Sequence, residues 1–448
     1  MTKISIVIKD KIKKFNKNIF VEGDKSISHR ALLIASQCVG SSNLFNILES
    51  DDVKNTIVCL RKLGVKILKK NKKYIVYGNG LGSFKSPKNN YLYAGNAGTL
   101  ARMLFPLLGT QSNLKVKIIG DKSLNKRDMN RIIEPLSKIG CNFYPKNKTT
   151  LPLTIEGTGM PLAQKHLENI GSAQVKSAIL LAALNTPGIT QIEVKKSSRD
   201  HTENLLKKIK ADIKIRKIKK GHLISLRGQK DFFGFNLKIP GDPSSAAPFV
   251  ILALLTPNSK LLIKSINCNK TRIGFFNILK KMNANIKFKN LKKKSGELIG
   301  DIIIKSSSLK PINCSEDFVS FAIDEFPLLF IAAATIKGTS KFNGISELRH
   351  KESDRIKSVE TNLNKIGIKT KSTNSSLTIF GNPKIKIKNT LKVSTNDDHR
   401  VAMAFFCLAE VLDGKCEINN FQTVNTSFPK FLSTMKKIGA IFEIKKKN

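Results

Sequence analysis

The chain has 448 residues, of which 41% are hydrophobic, and its formal net charge is +45. That length allows one or two large cores, and no apolar run is long enough to span a membrane, so a transmembrane protein is excluded. The first residues lack the apolar core of a signal peptide, and seven scattered cysteines without a Cys-x-x-Cys pair argue against disulfides and zinc. We therefore expect a cytoplasmic protein.

The excess of positive charge has two interpretations, a nucleic-acid-binding surface or a general preference for lysine in the source proteome. Lysine supplies 66 of the 78 basic residues and is spread along the chain, which favours the second interpretation. The lysine-rich segments 210–220 and 383–389 alternate with apolar residues and are predicted to be edge or hairpin strands. The scarce arginines lie mostly among Gly, Ser, Asp and His, which indicates binding of carboxylates or phosphates.

One helix ending recurs six times along the chain. The copies are spaced 70 to 84 residues apart and start at Leu60, Leu136, Leu206, Leu279, Leu363 and Met435. Each copy has two apolar residues three apart, a lysine between them, and then a residue that favours a left-handed backbone, Gly or Asn, except at Lys210. An alternating, strand-like pattern follows. The period predicts six copies of one α/β unit, arranged as two domains of three units each.

Near the N-terminus, residues 23–30 place Lys25, Ser26 and Arg30 on the first turns of an amphipathic helix. The helix dipole favours negative charge there, although an ordinary capped helix has the same pattern. Residues 93–102 form a Gly-rich turn that enters a helix, and the amides of this turn can face an anion. The spacing is not that of a nucleotide P-loop.

Two further segments of the first half carry candidate anion ligands. Arg127 and Arg131 lie one turn apart on a predicted helix, which fits either an anion site or exposed helix arginines. Ser172 is a favourable N-cap for an apolar helix. Ser172, the Ala173 amide and Gln174 are therefore predicted to face whatever binds at that helix start.

Arg199 precedes the next predicted helix, and residues 237–245 follow as a stiff segment with two prolines and a glycine. We predict that the chain crosses between domains in this segment.

The second half places carboxylates among cations. Asp324 comes at the head of a buried helix, where a carboxylate can simply cap the dipole. Glu352 lies between Lys351 and Arg355, which suits either proton transfer with a tuned pKa or a salt-bridged surface helix. Arg400 opens another apolar helix.

Every charged cluster thus lies at or near a predicted helix start, in both halves of the chain. This pattern indicates two repeat domains that direct helix N-termini toward a small polyanionic ligand. Since Asp324 and Glu352 can carry protons and no His-Glu-x-x-His or Ser-His-Asp pattern is present, the predicted chemistry is group transfer by general acid–base catalysis. We expect no metal and no cofactor.

Eight motifs together closely resemble those of the 5-enolpyruvylshikimate-3-phosphate synthases, a family of enolpyruvyl transferases, in the same order from about residue 20 to 430. They are Gly-Asp-Lys-Ser-Ile-Ser-His-Arg, Gly-Asn-Ala-Gly-Thr, Ser-Ala-Gln-Val-Lys-Ser-Ala, Ser-Arg-Asp-His-Thr-Glu, Ile-Pro-Gly-Asp-Pro-Ser-Ser, Asp-Glu-Phe-Pro, Lys-Glu-Ser-Asp-Arg and Asp-His-Arg. The resemblance implies a two-domain inside-out α/β barrel of six βαβαββ repeats, with the active site in the interdomain cleft. The expected domains are residues 1–22 plus 243–448 and residues 23–242.

The resemblance also implies transfer of the enolpyruvyl group of phosphoenolpyruvate to the 5-hydroxyl of shikimate 3-phosphate, a step toward chorismate and the aromatic amino acids. It implies catalytic roles for Lys25, Asp324 and Glu352. The implied contacts of shikimate 3-phosphate are Lys25, Ser26, Arg30, Ser172, Ala173, Gln174, Arg199, Asp324 and Lys351. Those of phosphoenolpyruvate are Lys25, Gly98, Arg127, Gln174, Arg355 and Arg400. Beyond these two anions we expect no partner, neither nucleic acid nor membrane, and a monomeric protein.

The chain departs from the family pattern at three positions. Asp128 replaces the usual proline after Arg127, and Thr426 stands where some members have lysine, so no catalytic lysine is assigned there. Ser-Ala-Gln and Ser-Arg-Asp-His-Thr resemble a glyphosate-tolerant subgroup, but Gly98 replaces the alanine of that subgroup, and we predict that glyphosate binds. Two alternatives stay open, a related UDP-sugar enolpyruvyl transferase, which carries a reactive cysteine loop, and a basic nucleic-acid-binding repeat protein.

Overall fold

Residues 3–447 are described by a computed structural model, and they divide into two compact units. Unit 1 comprises the chain up to Glu22, the segment Pro240–Lys292, and the chain from Leu298 onward. Unit 2 comprises Gly23–Ile239 and Lys293–Glu297. Both units mix α-helices with small sheets, so the predicted α/β class is confirmed.

The strands and helices alternate along the whole chain. The strands are β1 (Lys3–Ile8), β2 (Asn16–Ile19), β3 (Val39–Phe45), β4 (Lys66–Lys70), β5 (Lys73–Asn79), β6 (Tyr91–Gly95), β7 (Lys115–Gly120), β8 (Asn142–Tyr144), β9 (Leu153–Glu156), β10 (Lys165–Glu168), β11 (Ile189–Val194), β12 (Ile213–Lys217), β13 (His222–Arg227), β14 (Asn236–Lys238), β15 (Lys260–Asn267), β16 (Asn285–Lys294), β17 (Glu297–Lys305), β18 (Asn313–Cys314), β19 (Gly338–Asn343), β20 (Thr370–Ser372), β21 (Ser376–Gly381), β22 (Leu391–Val393), β23 (Cys416–Ile418) and β24 (Glu443–Lys447). The helices are α1 (Lys25–Ser36), α2 (Asp51–Lys62), α3 (Gly98–Gly109), α4 (Asn130–Ile139), α5 (Ala173–Leu184), α6 (His201–Lys208), α7 (Pro243–Leu255), α8 (Gly274–Lys281), α9 (Val319–Ala322), α10 (Phe326–Ala334), α11 (Arg355–Asn364), α12 (His399–Val411) and α13 (Phe431–Ile438). Short 3-10 helices cover Leu124–Lys126, Glu316–Phe318, Ser346–His350 and Phe421–Thr426.

Within these residues, six four-stranded sheets share one strand arrangement. In each sheet the first strand of a repeat pairs in parallel with the second, the second pairs antiparallel with the fourth, and the third lies beside the fourth at the edge. Unit 2 holds the sheets β14-β3-β5-β4, β6-β7-β9-β8 and β10-β11-β13-β12. Unit 1 holds β2-β15-β17-β16, β18-β19-β21-β20 and β22-β23-β1-β24. The six-fold repeat predicted from the sequence is therefore confirmed.

Three sheets contain a strand that comes from elsewhere in the chain. β2 precedes α1 but pairs with β15, whereas β14 precedes α7 but pairs with β3, so two repeats have exchanged their first strands. β1 completes the last repeat, because it pairs antiparallel with both β23 and β24.

A buried helix precedes the second strand of every repeat. In the four repeats that keep their own first strand, this helix forms the crossover that parallel pairing of the first two strands requires. These helices are α1, α3 and α5 in unit 2, and α7, α10 and α12 in unit 1. α3 packs against α1 and α5, and α10 packs against α7 and α12. Helices α7 and α10 are apolar on nearly every face, as expected for helices that are buried all round.

The recurring motif forms the same helix ending in all six repeats, at the ends of α2, α4, α6, α8, α11 and α13. In each copy the amide of the residue directly after the Gly, Asn or Lys position donates back to the carbonyl of the first residue of the motif. The amides of Val65, Cys141, Ala211, Ala284, Ile368 and Ala440 donate over 2.9–3.2 Å to the carbonyls of Leu60, Leu136, Leu206, Leu279, Leu363 and Met435. Lys210 adopts the same left-handed backbone, with φ of +61°, although it is neither Gly nor Asn.

Two local predictions are wrong. Residues 383–389 form no strand, because Ile387 turns inward and its amide donates to the Asp413 carbonyl over 2.8 Å. Arg127 does not share a helix with Arg131, because its backbone is extended (φ −80°, ψ 134°) and α4 begins only at Asn130. Within residues 3–447, no helix combines the length and the apolar character that crossing a bilayer requires.

Candidate active site

Fourteen residues were predicted to bind substrate or to act in catalysis, and they fall into two sets. Unit 2 holds Lys25, Ser26, Arg30, Gly98, Arg127, Ser172, Ala173, Gln174 and Arg199. Unit 1 holds Asp324, Lys351, Glu352, Arg355 and Arg400.

The start of α1 carries the first group of cations. Asp24 caps this helix by accepting a hydrogen bond from the Ile27 amide over 3.1 Å. Lys25 is partly exposed, and its ammonium group lies 2.9 Å from a carboxylate oxygen of Asp52 on α2. Nothing in the sequence distinguishes Asp52, because Asp51 and Asp52 look like ordinary acidic residues in the first turn of a helix.

Arg30 is buried one turn further along α1, and its guanidinium is held in three directions. It donates to the hydroxyls of Thr202 (2.8 Å) and Ser177 (3.0 Å) and to the Ser26 carbonyl (2.9 Å). Burial lowers the pKa of Arg30 to about 10, although Asp24 and Glu203 oppose that shift. These three bonds leave one N–H on each terminal nitrogen for another acceptor.

The start of α5 presents backbone amides that have no acceptor among the described residues. The Ser172 hydroxyl caps the helix at the Val175 amide over 3.4 Å, as predicted. The buried carboxylate of Glu168 accepts the amides of Ile170, Gly171 and Ser172 over 2.9–3.2 Å. The amides of Ala173 and Gln174 are the next two donors in the chain, and they lie at the positive end of the helix dipole.

The side chain of Gln174 connects α5 to α3. Its carbonyl oxygen accepts from Arg102 over 3.0 Å, and its amide group donates to the Thr99 hydroxyl over 3.1 Å. Arg102 also donates to the Asp128 carbonyl over 3.2 Å. Arg102 was noted only as one arginine among many, because no sequence pattern relates it to residue 174.

Arg127 lies beside the start of α3. Its guanidinium donates to the Asn96 side chain over 2.6 Å, and Asn96 donates in turn to Asp121 over 2.7 Å. A Cβ atom added at Gly98 would lie 3.2 Å from an Arg127 terminal nitrogen and 3.0 Å from one of Arg102. Gly98, Arg102 and Arg127 therefore form one cationic group at the helix start.

Arg199 precedes α6, where Asp200, His201 and Glu297 lie close enough together to be considered as metal ligands. His201 Nδ1 is 2.8 Å from a Glu297 carboxylate oxygen, and the Asn204 amide group donates to both Asp200 (3.2 Å) and Glu297 (3.3 Å). These contacts occupy His201 Nδ1 and one oxygen of each carboxylate, and we assign no metal to the cluster.

In unit 1, Arg355 at the start of α11 is surrounded by three carboxylates. It donates to Asp398 over 2.8 Å and to Glu352 over 2.5 Å, and its other terminal nitrogen lies 3.8 Å from Asp324. Burial acts to lower the pKa of Arg355, but Asp398, Glu352 and Asp324 together raise it above its ordinary value. The structure thus brings together three of the predicted residues.

The other two predicted cations of unit 1 are Lys351 and Arg400, and each lies close in sequence to a residue that contacts Arg355. Lys351 precedes α11, and burial lowers its pKa, although Glu347, whose carboxylate is 3.6 Å away, opposes the shift. Arg400 is buried at the start of α12, where its backbone amide donates to Asp398 over 2.8 Å. Asp398 therefore positions both arginines, although the sequence shows it only as the first residue of the Asp-His-Arg motif.

Comparisons with known proteins agree with this arrangement. A sequence profile of the family described as EPSP synthase (3-phosphoshikimate 1-carboxyvinyltransferase) matches residues 9–435. The chain is 42% identical to the 3-phosphoshikimate 1-carboxyvinyltransferase of Petrotoga mobilis over 95% of this chain and 98% of that protein. It is 38% identical to the protein of that name from Zymomonas mobilis, over 95% and 94%.

Solved structures give the same result. The EPSP synthase of Acinetobacter baumannii superposes with a TM-score of 0.85 at 36% identity, covering 99% of this chain and 100% of that one. The enolpyruvyl transferase NikO from Streptomyces tendae shares the fold, with a TM-score of 0.78 at 12% identity and full coverage of both chains. The match of the family profile and the identity to full-length relatives show that the chain belongs to the EPSP synthase family.

Proposed function

We propose that the protein transfers the enolpyruvyl group of phosphoenolpyruvate to the 5-hydroxyl of shikimate 3-phosphate and releases phosphate. The observation that carries the proposal is the position of Arg355 against both Asp324 and Glu352. The Arg355 guanidinium then lies beside both proposed proton carriers and can also bind an anionic substrate. Both the addition step and the step that releases phosphate need this arrangement. Family membership supports the choice of substrates.

In this proposal, unit 2 supplies most of the contacts to shikimate 3-phosphate, and Asp324 and Lys351 of unit 1 supply the others. The free N–H groups of Arg30, with Ser26 and Lys25, suit the carboxylate, because a guanidinium fork matches its two oxygens. The α5 start suits the 3-phosphate, since Ser172 and the Ala173 amide face it with Arg199.

Phosphoenolpyruvate is assigned to the remaining cations. They are Arg127 with the Gly98 amide, Arg355, Arg400 and Lys25, and Gln174 and Lys351 complete the substrate contacts. Asp324 accepts the 5-hydroxyl proton as the oxygen adds to C2, and Glu352 delivers a proton to the methylene carbon. Glu352 later removes a proton from the same carbon as the C2–phosphate oxygen bond breaks, and the departing phosphate takes the proton that Asp324 accepted. The carboxylates stabilise the positive charge that develops at C2.

We also propose that each unit is a domain of three repeats and that the protein acts as a cytoplasmic monomer. All seven cysteines are buried thiols, which suits a reducing compartment.

The test is phosphate release from phosphoenolpyruvate, with and without shikimate 3-phosphate, by the wild type and by Glu352→Gln. Release that needs both substrates and is nearly abolished in the variant supports the proposal. A folded wild type that releases no phosphate contradicts it, and salt-steep binding of random DNA by such a protein would favour a nucleic-acid-binding function.

A further inference from the structure

A second buried cluster lies next to Asp324 and has no role in the mechanism above. It consists of Arg272, Asp242, Ser244 and Glu325, each at most 3% exposed. Glu325 is the N-cap residue of α10 and follows Asp324 directly in the chain. Its carboxylate comes to the start of α7, which packs against α10.

The hydrogen bonds of this cluster converge on one carboxylate oxygen of Glu325. Arg272 donates to this oxygen over 3.1 Å, and the Ser244 hydroxyl donates to the same atom. Arg272 also contacts Asp242 (2.7 Å) and the Ser244 hydroxyl (2.5 Å). The second carboxylate oxygen of Glu325 has no hydrogen-bond partner among the described residues, so Arg272 and Ser244 supply the compensation that a buried charge requires.

The six-fold repeat allows the residues of this cluster to be compared with those at corresponding positions in unit 2. Ser244 lies in the first turn of the buried helix of its repeat, and Arg272 lies between the second strand and the outer helix. In a repeat of unit 2, Arg199 occupies the place of Arg272, and Ser172 also lies at the start of the buried helix, as its N-cap residue and two positions earlier than Ser244. We assign Ser172 and Arg199 to the 3-phosphate. A serine at a helix start and an arginine from the next loop thus face an anion in both repeats, but in unit 1 the anion is a side chain.

We infer that Glu325 is a positioning residue whose carboxylate fills, in unit 1, the anion cradle that the repeat retains from its ligand-binding counterpart. By filling the cradle of Ser244 and Arg272, it anchors the start of α10 and with it the backbone of Asp324. The inference rests on the proposed function, because Asp324 is the proposed proton acceptor. It predicts that an external anion can replace the side chain.

The experiment is chemical rescue of Glu325→Ala in the full chain. Phosphate release is measured with both substrates, with added formate or with chloride at the same ionic strength. We expect kcat to fall by about tenfold or more, KM for both substrates to stay within about twofold, and formate to restore part of kcat. Glu316→Ala, which removes an exposed carboxylate of the same unit, is the control and should retain wild-type kcat.

A second readout does not depend on turnover. Formate should raise the melting temperature of Glu325→Ala more than chloride does, and should not do so for the wild type. Unchanged kcat in Glu325→Ala, or identical effects of formate and chloride, would overturn the inference. If the wild type itself releases no phosphate, the proposed function fails, while the melting temperatures still test the cradle.

If Glu325→Ala does not fold, Glu325→Gln takes its place, since it keeps the volume and removes the charge that Arg272 compensates. A folded Glu325→Gln with reduced kcat and unchanged KM supports the positioning role. A folded Glu325→Gln with wild-type kcat overturns it.

Discussion

Arg355 donates a 2.5 Å hydrogen bond to Glu352, which fixes the proposed proton carrier against the side chain that also faces Asp324. Lysine keeps the charge at this position but loses the planar fork that serves several carboxylates at once. We expect Arg355→Lys to reduce kcat by about 100-fold. Steady-state phosphate release measures the effect, with Arg349→Lys as the control because Arg349 pairs with the partly exposed Asp354. Equal activities of the two variants would contradict the role of Arg355.

Gly98 tests the prediction that glyphosate binds. The Cβ atom of Gly98→Ala would approach Arg102 and Arg127 to 3.0 and 3.2 Å, and both contacts are to the ends of flexible side chains, so the fold should tolerate the change. We expect the displaced Arg127 guanidinium to raise KM for phosphoenolpyruvate by about threefold or more and to raise the glyphosate inhibition constant further. Gly159→Ala is the control, since its added Cβ atom meets Ser112 at an ordinary 3.4 Å. A wild type that glyphosate does not inhibit would refute the prediction.

Glu410 makes the stability of unit 1 depend on pH. Neither carboxylate oxygen has a hydrogen-bond partner among the described residues, and burial raises the pKa of Glu410 to about 8. An unfolded glutamate ionises near pH 4.5, so between that pH and about 8 the folded state binds one proton more than the unfolded state. The free energy of unfolding should therefore fall as pH rises through this window, by about 1.4 kcal/mol per pH unit, and level off above it.

Glu410→Gln should remove that slope and should be more stable than the wild type at pH 8. Urea unfolding at several pH values measures this, and Glu417→Gln, a partly exposed position, is the control. A wild-type slope in Glu410→Gln would show that other groups cause the pH dependence.

Lys210 is a position where the sequence is not at its stability optimum. It has a φ of +61°, which costs a residue with a Cβ atom about 1 kcal/mol and costs glycine nothing. Lys210→Gly should therefore raise the free energy of unfolding by roughly 0.5–1 kcal/mol. Lys207→Gly, an exposed substitution inside α6, should lower it by a similar amount, because glycine disfavours a helix. Chemical denaturation of both variants distinguishes the backbone effect from the shared loss of charge.

The predictable part of the fold is local. A helix ending, its left-handed residue and the following strand lie within eight residues, and the sequence therefore shows all six copies, including the Lys210 copy that lacks the favoured residue. The wrong prediction that Arg127 and Arg131 share a helix has the same origin. A spacing of four residues indicates a helix, but it does not reveal that the backbone of Arg127 is extended.

The contacts of the candidate site are not local. Arg355 meets Asp398 across 43 residues, and Arg102 meets Gln174 across 72. Sequence periodicity cannot predict pairs this far apart, and the site residues were therefore predicted from the family resemblance. The roles of Asp52, Arg102 and Asp398 became evident only in the folded chain. The buried Arg272 cluster is visible only when the repeats are compared in three dimensions.

The position of β1 in the last sheet has a consequence for the growing chain on the ribosome. β1 is synthesised before the other described strands, but its partners β23 and β24 are synthesised after them. While the strands between them are synthesised, the apolar residues of segment 4–8 are therefore in a strand without its pairing partners, open to pairing with other chains. The three sheets of unit 2 need no strand beyond β14. They can therefore form before the final repeat of unit 1 has been synthesised.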